Sequence, residues 1–572
     1  MVWVMPLSTA CRAMARAVSR SRAPSSMPGS MWQWMSIMGL GYCATAPVKR
    51  AKRRKPAKSP FSRKSLNRSA ALVTLCSSRQ GSLFVTHPLQ RSVAILLASL
   101  LVLAPLLRSG NTPLALLTLE VLALALLGLL AWQPGSWQRL TRLQRWAVGG
   151  LAAVPLLYLL PLPSALAAFF PGREMHQLAQ SLALRGGQPD LETLALSPAE
   201  TFAGWLKLLL PLGVFVAALQ LPHRTLQWLV WLFLGMAALQ AMIGLLQYGG
   251  GLPMPELFGM DDIMASRAAG TYTSPNNFAG FLYLALMLSL ALYLAWLGRF
   301  RSAGKSPLRS RLLFWSTLRG HQTFIFGALA LLLLLGIIFS RSRAGIGVTI
   351  IGIALLTVML SNRIGGAKAG VGLVGRVLTV AMGAAAAIGL APVWQRFTVA
   401  DPVSDGRFVI FDGTLRAIRE NFPLGYGPGS FQESFFPWQD VSQSAYLINQ
   451  AHNSFLEWLY DGGLLALALL LLCLTIYVRR WFTLWRREAW GDFRYLQVGA
   501  GVGLLLMLLH EMADYNLYVP ANMIAFAFLA AVFLYPYQEA APKRRKSTSR
   551  IDARRERDLA PLPTAATNPF MD

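Results

Sequence analysis

The sequence predicts an all-α, polytopic integral membrane protein with about twelve transmembrane helices and one large extramembrane loop that carries short helices. Three observations predict it. Hydrophobic residues make up 55% of the 572 residues and charged residues only 14%, with a mean hydropathy of +0.46; a soluble chain carries roughly a quarter charged residues. Apolar runs of the length that crosses a bilayer recur along the chain. Lys and Arg fall in alternate loops, which is the positive-inside pattern. The net charge of +28 is therefore read as topology, and no nucleic-acid partner is expected.

Residues 1–88 hold fifteen Lys or Arg and no Asp or Glu, with a basic run from Lys49 to Lys64. They read as a disordered basic extension or as upstream sequence read through from an early start, with a basic arm on anionic lipid as the functional alternative. No small-residue cleavage site follows the first apolar run, so a removed signal peptide is not expected. Spans are expected at 92–107, 113–132, 146–162, 202–220, 226–247, 278–297, 322–339, 344–360, 375–393, 463–478, 496–513 and 519–535. The second contains Glu120, which needs a partner or water inside the bundle. The Gly-rich stretch 365–389 reads as a close-packing helix and its connector.

Basic loops carry Arg139, Arg142 and Arg145, then Arg299 to Arg319, Arg363 to Arg376, and Arg479 to Arg494. These are expected on the cytoplasmic side with both termini, and Lys543 to Arg557 would hold the tail there. The opposite side then receives the loop 163–201, the Gly- and Pro-rich loop 248–277, the tight turn Ser340-Arg341-Ser342-Arg343, and the large loop 394–462.

Chemistry is expected on that opposite side. Arg341 and Arg343 sit where the positive-inside rule disfavours Arg, and two guanidiniums suit an anion such as a pyrophosphate, which Arg binds bidentately. The helix starting near Ala344 adds the positive end of its dipole; snorkelling to lipid headgroups is the alternative. Arg267 opens Arg267-Ala268-Ala269-Gly270-Thr271-Tyr272-Thr273-Ser274-Pro275-Asn276-Asn277 and is a candidate for the same anion site. There Pro275 suits a helix entry and Asn276 or Asn277 is expected to cap it.

In the large loop, Ser404-Asp405-Gly406-Arg407 reads as a helix start. Phe408, Phe411, Leu415, Ile418 and Phe422 follow at helical spacing, as in an amphipathic helix lying on a membrane. The stretch Gly425-Tyr426-Gly427-Pro428-Gly429 has no Lys and no P-loop spacing, so no nucleotide is expected. His452, one of six histidines, lies at the mouth of a span. An imidazole there is a candidate general base for an attacking hydroxyl, with Glu457 orienting or tuning it from one turn further along.

No metal site is expected. His510-Glu511-Met512-Ala513-Asp514 lacks the second His of a zinc-protease motif, and the adjacent Asp261-Asp262 is a weak signal. The four cysteines, Cys11, Cys43, Cys76 and Cys473, show no metal-ligand or redox spacing.

Ser-Arg-Ser-Arg-Ala-Gly (340–345), Gly-Tyr-Gly-Pro-Gly-Ser-Phe (425–431), Ala-His-Asn-Ser-Phe-Leu-Glu (451–457) and Asp-Tyr-Asn-Leu-Tyr-Val-Pro-Ala-Asn (514–522) follow one another in this chain. In that order they resemble the O-antigen ligase and polysaccharide polymerase superfamily of bacterial membrane glycosyltransferases. The resemblance runs from about 200 to 535, and its most specific part is the ligase-like domain.

It implies the following division: an extension 1–88, helices and loops 89–325, a ligase-like domain 326–475 including the loop 394–462, helices 476–537, and a basic tail 538–572. It also implies an inner-membrane enzyme with a periplasmic active site and no metal, nucleotide or other cofactor. The donor would be a glycan on undecaprenyl pyrophosphate, transferred with inversion. His452 would act as base on the acceptor hydroxyl, and Arg341 or Arg343, with Arg267, would hold the pyrophosphate. The acceptor stays open among lipid A core, a growing polysaccharide and a protein hydroxyl. A lipid-glycan flippase or transporter and a non-catalytic envelope scaffold are the competing classes; a transporter would place its charges mid-span.

Overall fold

The computed structural model describes residues 88–133, 135–167, 169–171, 191–250, 267–301, 317–364, 406–486 and 490–537. Its helices in chain order are α1 Pro88–Leu106, α2 Pro113–Trp132, α3 Arg142–Tyr158, α4 Pro198–Gln220, α5 His223–Tyr248, α6 Pro275–Arg301, α7 Leu318–Phe339, α8 Arg343–Ile364, α9 Arg407–Asn421, α10 Ser454–Trp485, α11 Asp492–His510 and α12 Pro520–Leu534. Each expected span except 375–393 falls on one of them. That span, the Gly-rich stretch around it, Asp261-Asp262, the extension 1–87 and the tail 538–572 lie outside the described residues. Among the described residues, nine helices are long and apolar enough to cross a membrane, and α12 is a shorter apolar helix. The chain is a multi-pass, all-α membrane protein. Its one departure among the described residues is a two-stranded antiparallel pair, β1 Pro161–Pro163 at the end of the expected span 146–162 with β2 Leu191–Thr193 in the expected 163–201 loop.

α6 is the centre of the bundle. Its apolar window is 94% buried, which suits a helix that is hydrophobic on every side. It packs against α7, α8 and α11. Close approach to α11 depends on small residues, because a Cβ on Gly499 would sit 2.7 Å from the Met287 carbonyl. α4 packs against α2, α3 and α12, while α10 packs against α3 and α9.

The described part of the large loop, 406–462, is a folded cap with its own core, formed by Ile410, Ala417, Ile418, Tyr426, Phe431, Phe435, Ile448, Ala451 and Tyr460. Tyr426 and Tyr460 stack at 4.2 Å. The Gly-rich stretch laces this cap to the start of α10. The Tyr426 and Gly427 N–H groups donate to the Tyr460 and Asp461 carbonyls (2.9 and 2.8 Å), and Gly429 N–H donates to the Asp461 carboxylate (2.8 Å). The expected amphipathic helix is present as α9. Ile418, however, points into the cap core rather than lying with Phe408 and Leu415 on the exposed side.

α10 breaks at Gly463, whose φ of 48° and ψ of −133° are non-helical. This is where the sequence placed the start of the span. The Leu464 N–H turns back to the Pro423 carbonyl (2.8 Å), and a Cβ at position 463 would lie 2.1 Å from that same oxygen. Only glycine fits both the conformation and the space. Gly463→Ala is therefore expected to carry at least the about 1–3 kcal/mol of backbone strain typical of such positions, and to lower the thermal unfolding midpoint by several degrees. Gly235→Ala in α5, where nothing lies within 4 Å of the added carbon, is expected to leave the midpoint unchanged or slightly raised. Equal midpoints for the two variants would contradict this account of the break.

Candidate active site

The loop 267–274 is tied into the bundle before it reaches the site. Thr271 exchanges hydrogen bonds with Gln240 of α5 (2.8 and 3.0 Å) and donates to the Pro105 carbonyl of α1. Ala268 N–H donates to the Phe339 carbonyl at the end of α7 (2.9 Å), and Arg267 Nε donates to the next carbonyl, Ser340 (2.8 Å). Arg267 is thus laid against the Ser340-Arg341-Ser342 turn. That turn is as tight as the sequence suggests. Ser342 caps α8 by accepting from Gly345 N–H (3.2 Å), Arg343 is the first residue of α8, and Arg341 holds a left-handed φ of 56°.

His452 is also left-handed, at φ 53°. Side chains rarely adopt this conformation, and where they do it frequently marks a functional position. Two contacts hold the turn. Asn453 caps α10 by accepting from Phe455 and Leu456 N–H (3.1 and 3.2 Å). The Glu457 carboxylate accepts from Ala451 N–H (2.7 Å). Glu457 is buried and acts on the backbone just before His452. The His452 side chain keeps 27% of its surface open, and its Nδ1 lies 3.9 Å from Oδ1 of Asp514. That spacing closes to a hydrogen bond with a shift of about 1 Å. Tyr515 stands edge-on to the imidazole at 5.0 Å.

Asp514 is the hub. Its Oδ1 accepts from Tyr515 N–H (3.0 Å) and faces His452. Its Oδ2 accepts from Asn276 Nδ2 (2.7 Å) and faces His510 Nε2 at 3.9 Å. Oδ1 of Asn276 in turn accepts from Arg267 Nη2 (3.3 Å). A chain of polar contacts therefore runs from the arginine turn through Arg267, Asn276 and Asp514 to His452. Arg407, the first residue of α9, donates to the Ala513 carbonyl. Burial alone would raise the Asp514 carboxyl, but His452, His510 and Arg407 together outweigh it and hold the group below the ordinary Asp value. Glu511, three residues earlier, goes the other way. Burial pushes it up to about 8 although it accepts from the Ser454 hydroxyl and Leu517 N–H. Near neutral pH one carboxyl is ionised and its neighbour largely protonated.

One expectation is corrected. Asn276 does not cap α6: the Ser274 hydroxyl accepts from Asn276 N–H (3.3 Å), which leaves the Asn276 amide to bridge Arg267 and Asp514. The segment His510–Asp514, which lacks the second His of a zinc motif, brings Asp514 into the candidate site. Asp514 and Arg407 were missed as site residues. The available signal was a carboxylate and a histidine at the end of one span, four residues apart on the side opposite the basic loops. Glu120 lies within electrostatic range of Lys207 of α4, which is also within range of Glu457.

Residues 328–471 match the family model described as O-antigen ligase. None of the curated proteins matches the chain. The matched stretch includes Arg341, Arg343, Arg407, His452 and Glu457. Arg267, Asn276 and Asp514 fall outside it yet complete the same site in the folded chain. The chain thus carries, at 328–471, a stretch that matches the O-antigen ligase family model.

Proposed function

We propose that this protein is a membrane glycosyltransferase that moves a glycan from undecaprenyl pyrophosphate to an acceptor hydroxyl. The observation that carries the reading is the polar chain joining the arginine turn to His452 through Asn276 and Asp514. It brings together, at one end of the bundle, cations for a leaving pyrophosphate and an imidazole beside a buried carboxylate. That end is proposed to face the periplasm. A reporter fused at Gln439 is then expected to read periplasmic and one at Ser306 cytoplasmic; the reverse pattern would invert the assignment.

With Nδ1 turned to the Asp514 carboxylate, the imidazole carries its proton on that nitrogen and leaves Nε2 to accept one. The acceptor hydroxyl attacks the anomeric carbon of the donor sugar from the face opposite the phosphate. Its proton passes to Nε2, the carbon–oxygen bond to phosphate breaks with inversion, and undecaprenyl pyrophosphate leaves as the anion. Arg341 or Arg343, with Arg267, stabilises the negative charge that grows on that anion. Glu457 acts as a positioning residue that holds the backbone turn of His452 through Ala451. Lipid A core, a growing polysaccharide and a protein hydroxyl remain the acceptor classes this chemistry serves.

Transfer in membranes supplied with lipid-linked glycan tests these roles, with each variant's abundance checked by blot. His452→Ala and His452→Gln are expected to reach the membrane and to lose about 100- to 10,000-fold in rate, the usual contribution of a positioned base. Near-normal turnover by the Gln variant would reduce His452 to an orienting role. Arg341→Lys keeps the charge but not the planar, two-pronged donor, and a loss of about tenfold or more, ~1.4 kcal/mol, is expected. Full activity in the Lys variant would leave only a general positive potential at that turn.

A further inference from the structure

α9 is a helix with three sides. One packs into the cap core through Ile410, Gly413, Thr414, Ala417 and Ile418. A second carries Asp412, Arg416, Arg419 and Glu420, with Arg416 paired to Asp412 at 3.2 Å. Between them runs an apolar stripe at helical spacing, Phe408, Phe411, Leu415 and, at the C-cap, Phe422. Phe408 is 56% exposed, Leu415 39% and Phe422 48%. Phe408 and Phe411 meet edge to face at 5.8 Å. A patch of this kind facing water would be a standing cost.

Two observations say what covers it. The first is continuity with the surface that faces lipid. Phe422 ends the stripe, and the next carbonyl, Pro423, accepts from the N–H of Leu464, the first residue of α10 beyond its break. From there the long apolar arm of α10 exposes Leu464, Leu465, Leu471, Leu474 and Val478, as a span facing acyl chains does. The stripe therefore begins at the level where α10 enters the bilayer, and α9 packs directly on α10. The second is charge. Arg419 lies one step around the helix from Leu415 and Phe408, so the apolar stripe is edged by a cation, the pattern of a helix seated at a lipid headgroup boundary.

We propose that the Phe408–Phe411–Leu415–Phe422 stripe of α9 is seated in the membrane leaflet nearest the site, with Arg419 at the phospholipid headgroups. The cap is then held to the bilayer by α9 as well as by α10. Because Arg407 at the start of α9 donates to the Ala513 carbonyl beside Asp514, the depth of α9 also fixes the height of the site above the acyl chains. That consequence, meeting a donor anchored in the same leaflet, rests on the proposed reaction; the seating does not.

Nitroxide labels on the full chain test it. Cys11, Cys43, Cys76 and Cys473 are replaced by Ser, and single cysteines are placed by Phe408→Cys, Leu415→Cys, Arg416→Cys and Glu420→Cys, with Leu471→Cys as the reference for acyl-chain contact. The protein is reconstituted in vesicles of phosphatidylethanolamine with a minority of phosphatidylglycerol. Collision with oxygen, which concentrates in the bilayer, is compared with collision with a water-soluble nickel chelate. The labels at 408 and 415 are expected to give an oxygen-to-nickel ratio several-fold above those at 416 and 420 and to approach that at 471. A ratio at 415 equal to that at 416 would show a stripe facing water. Protection of 415 from both reagents would show a protein cover, from this chain or a partner. Either result overturns the proposal, and both are independent of whether the protein transfers glycan.

Discussion

A single buried carboxylate organises the candidate site of this protein. An ionised Asp in a poorly solvated site is stable only if its surroundings repay several kcal/mol of lost hydration. For Asp514 the repayment comes from separate parts of the chain: the Asn276 amide from α6, His510 from the end of α11, His452 from the cap and Arg407 from α9. Only His510 is near Asp514 in sequence, and none of these groups is near another. Satisfying one charge therefore requires that the ends of α6 and α11, the start of α9 and the mouth of α10 meet, and that meeting creates the site. Asn276 extends the requirement to Arg267 and, through the Ser340 carbonyl, to the turn that carries Arg341.

The same crowding separates the behaviour of two nearby acids. Asp514 has the Arg407 cation, two imidazoles and the Asn276 amide around it and is held below the ordinary Asp value. The donors of Glu511 are the Ser454 hydroxyl, the Leu517 N–H and the Asn516 side chain, and burial outweighs them and pushes it up to about 8. Neighbouring carboxyls pushed apart in this way typically mark acid–base machinery. Backbone strain falls in the same region: Arg341 and His452 are two of the four described non-glycine residues with left-handed φ. Such conformations persist only where the surroundings over-determine them, and around His452 the Asn453 cap and the Glu457 bond to Ala451 do so.

The bundle was legible because bilayer physics writes itself into composition: a span must be apolar along its whole length and must satisfy its own backbone. Even the break in α10 was marked, since Gly462-Gly463 divides the charged mouth from the apolar run. The turn at 340–343, Arg267 and His452 stood out as polar groups in places where apolar or acidic ones are the rule. What could not be read was pairing. Asn276 stands one residue after a helix-starting Pro and looks like a cap; only in three dimensions does Ser274 take that duty. Asp514 follows His510-Glu511 at a spacing that suggested a metal motif. Its real partners lie 62 residues before it, at 452, and 238 before it, at 276. A lone sequence holds no record of contacts over that distance. The exposed stripe of α9 was visible as periodicity, but the burial of Ile418 on its other side was not.

The central claim is that the Asp514 carboxylate holds the His452 imidazole with Nδ1 toward it and leaves Nε2 to accept a proton. It is tested most directly by the transfer rate of Asp514→Asn beside the wild type, at saturating lipid-linked donor and matched abundance in the membrane. Asn keeps an oxygen to accept the Asn276 amide but removes the negative charge. The account predicts that the rate at saturating donor falls about 100-fold, within the range of a positioned base, while the donor KM changes little. A rate near that of the wild type would contradict the account. It would mean that the Asp514 charge only braces the bundle and does not act through His452.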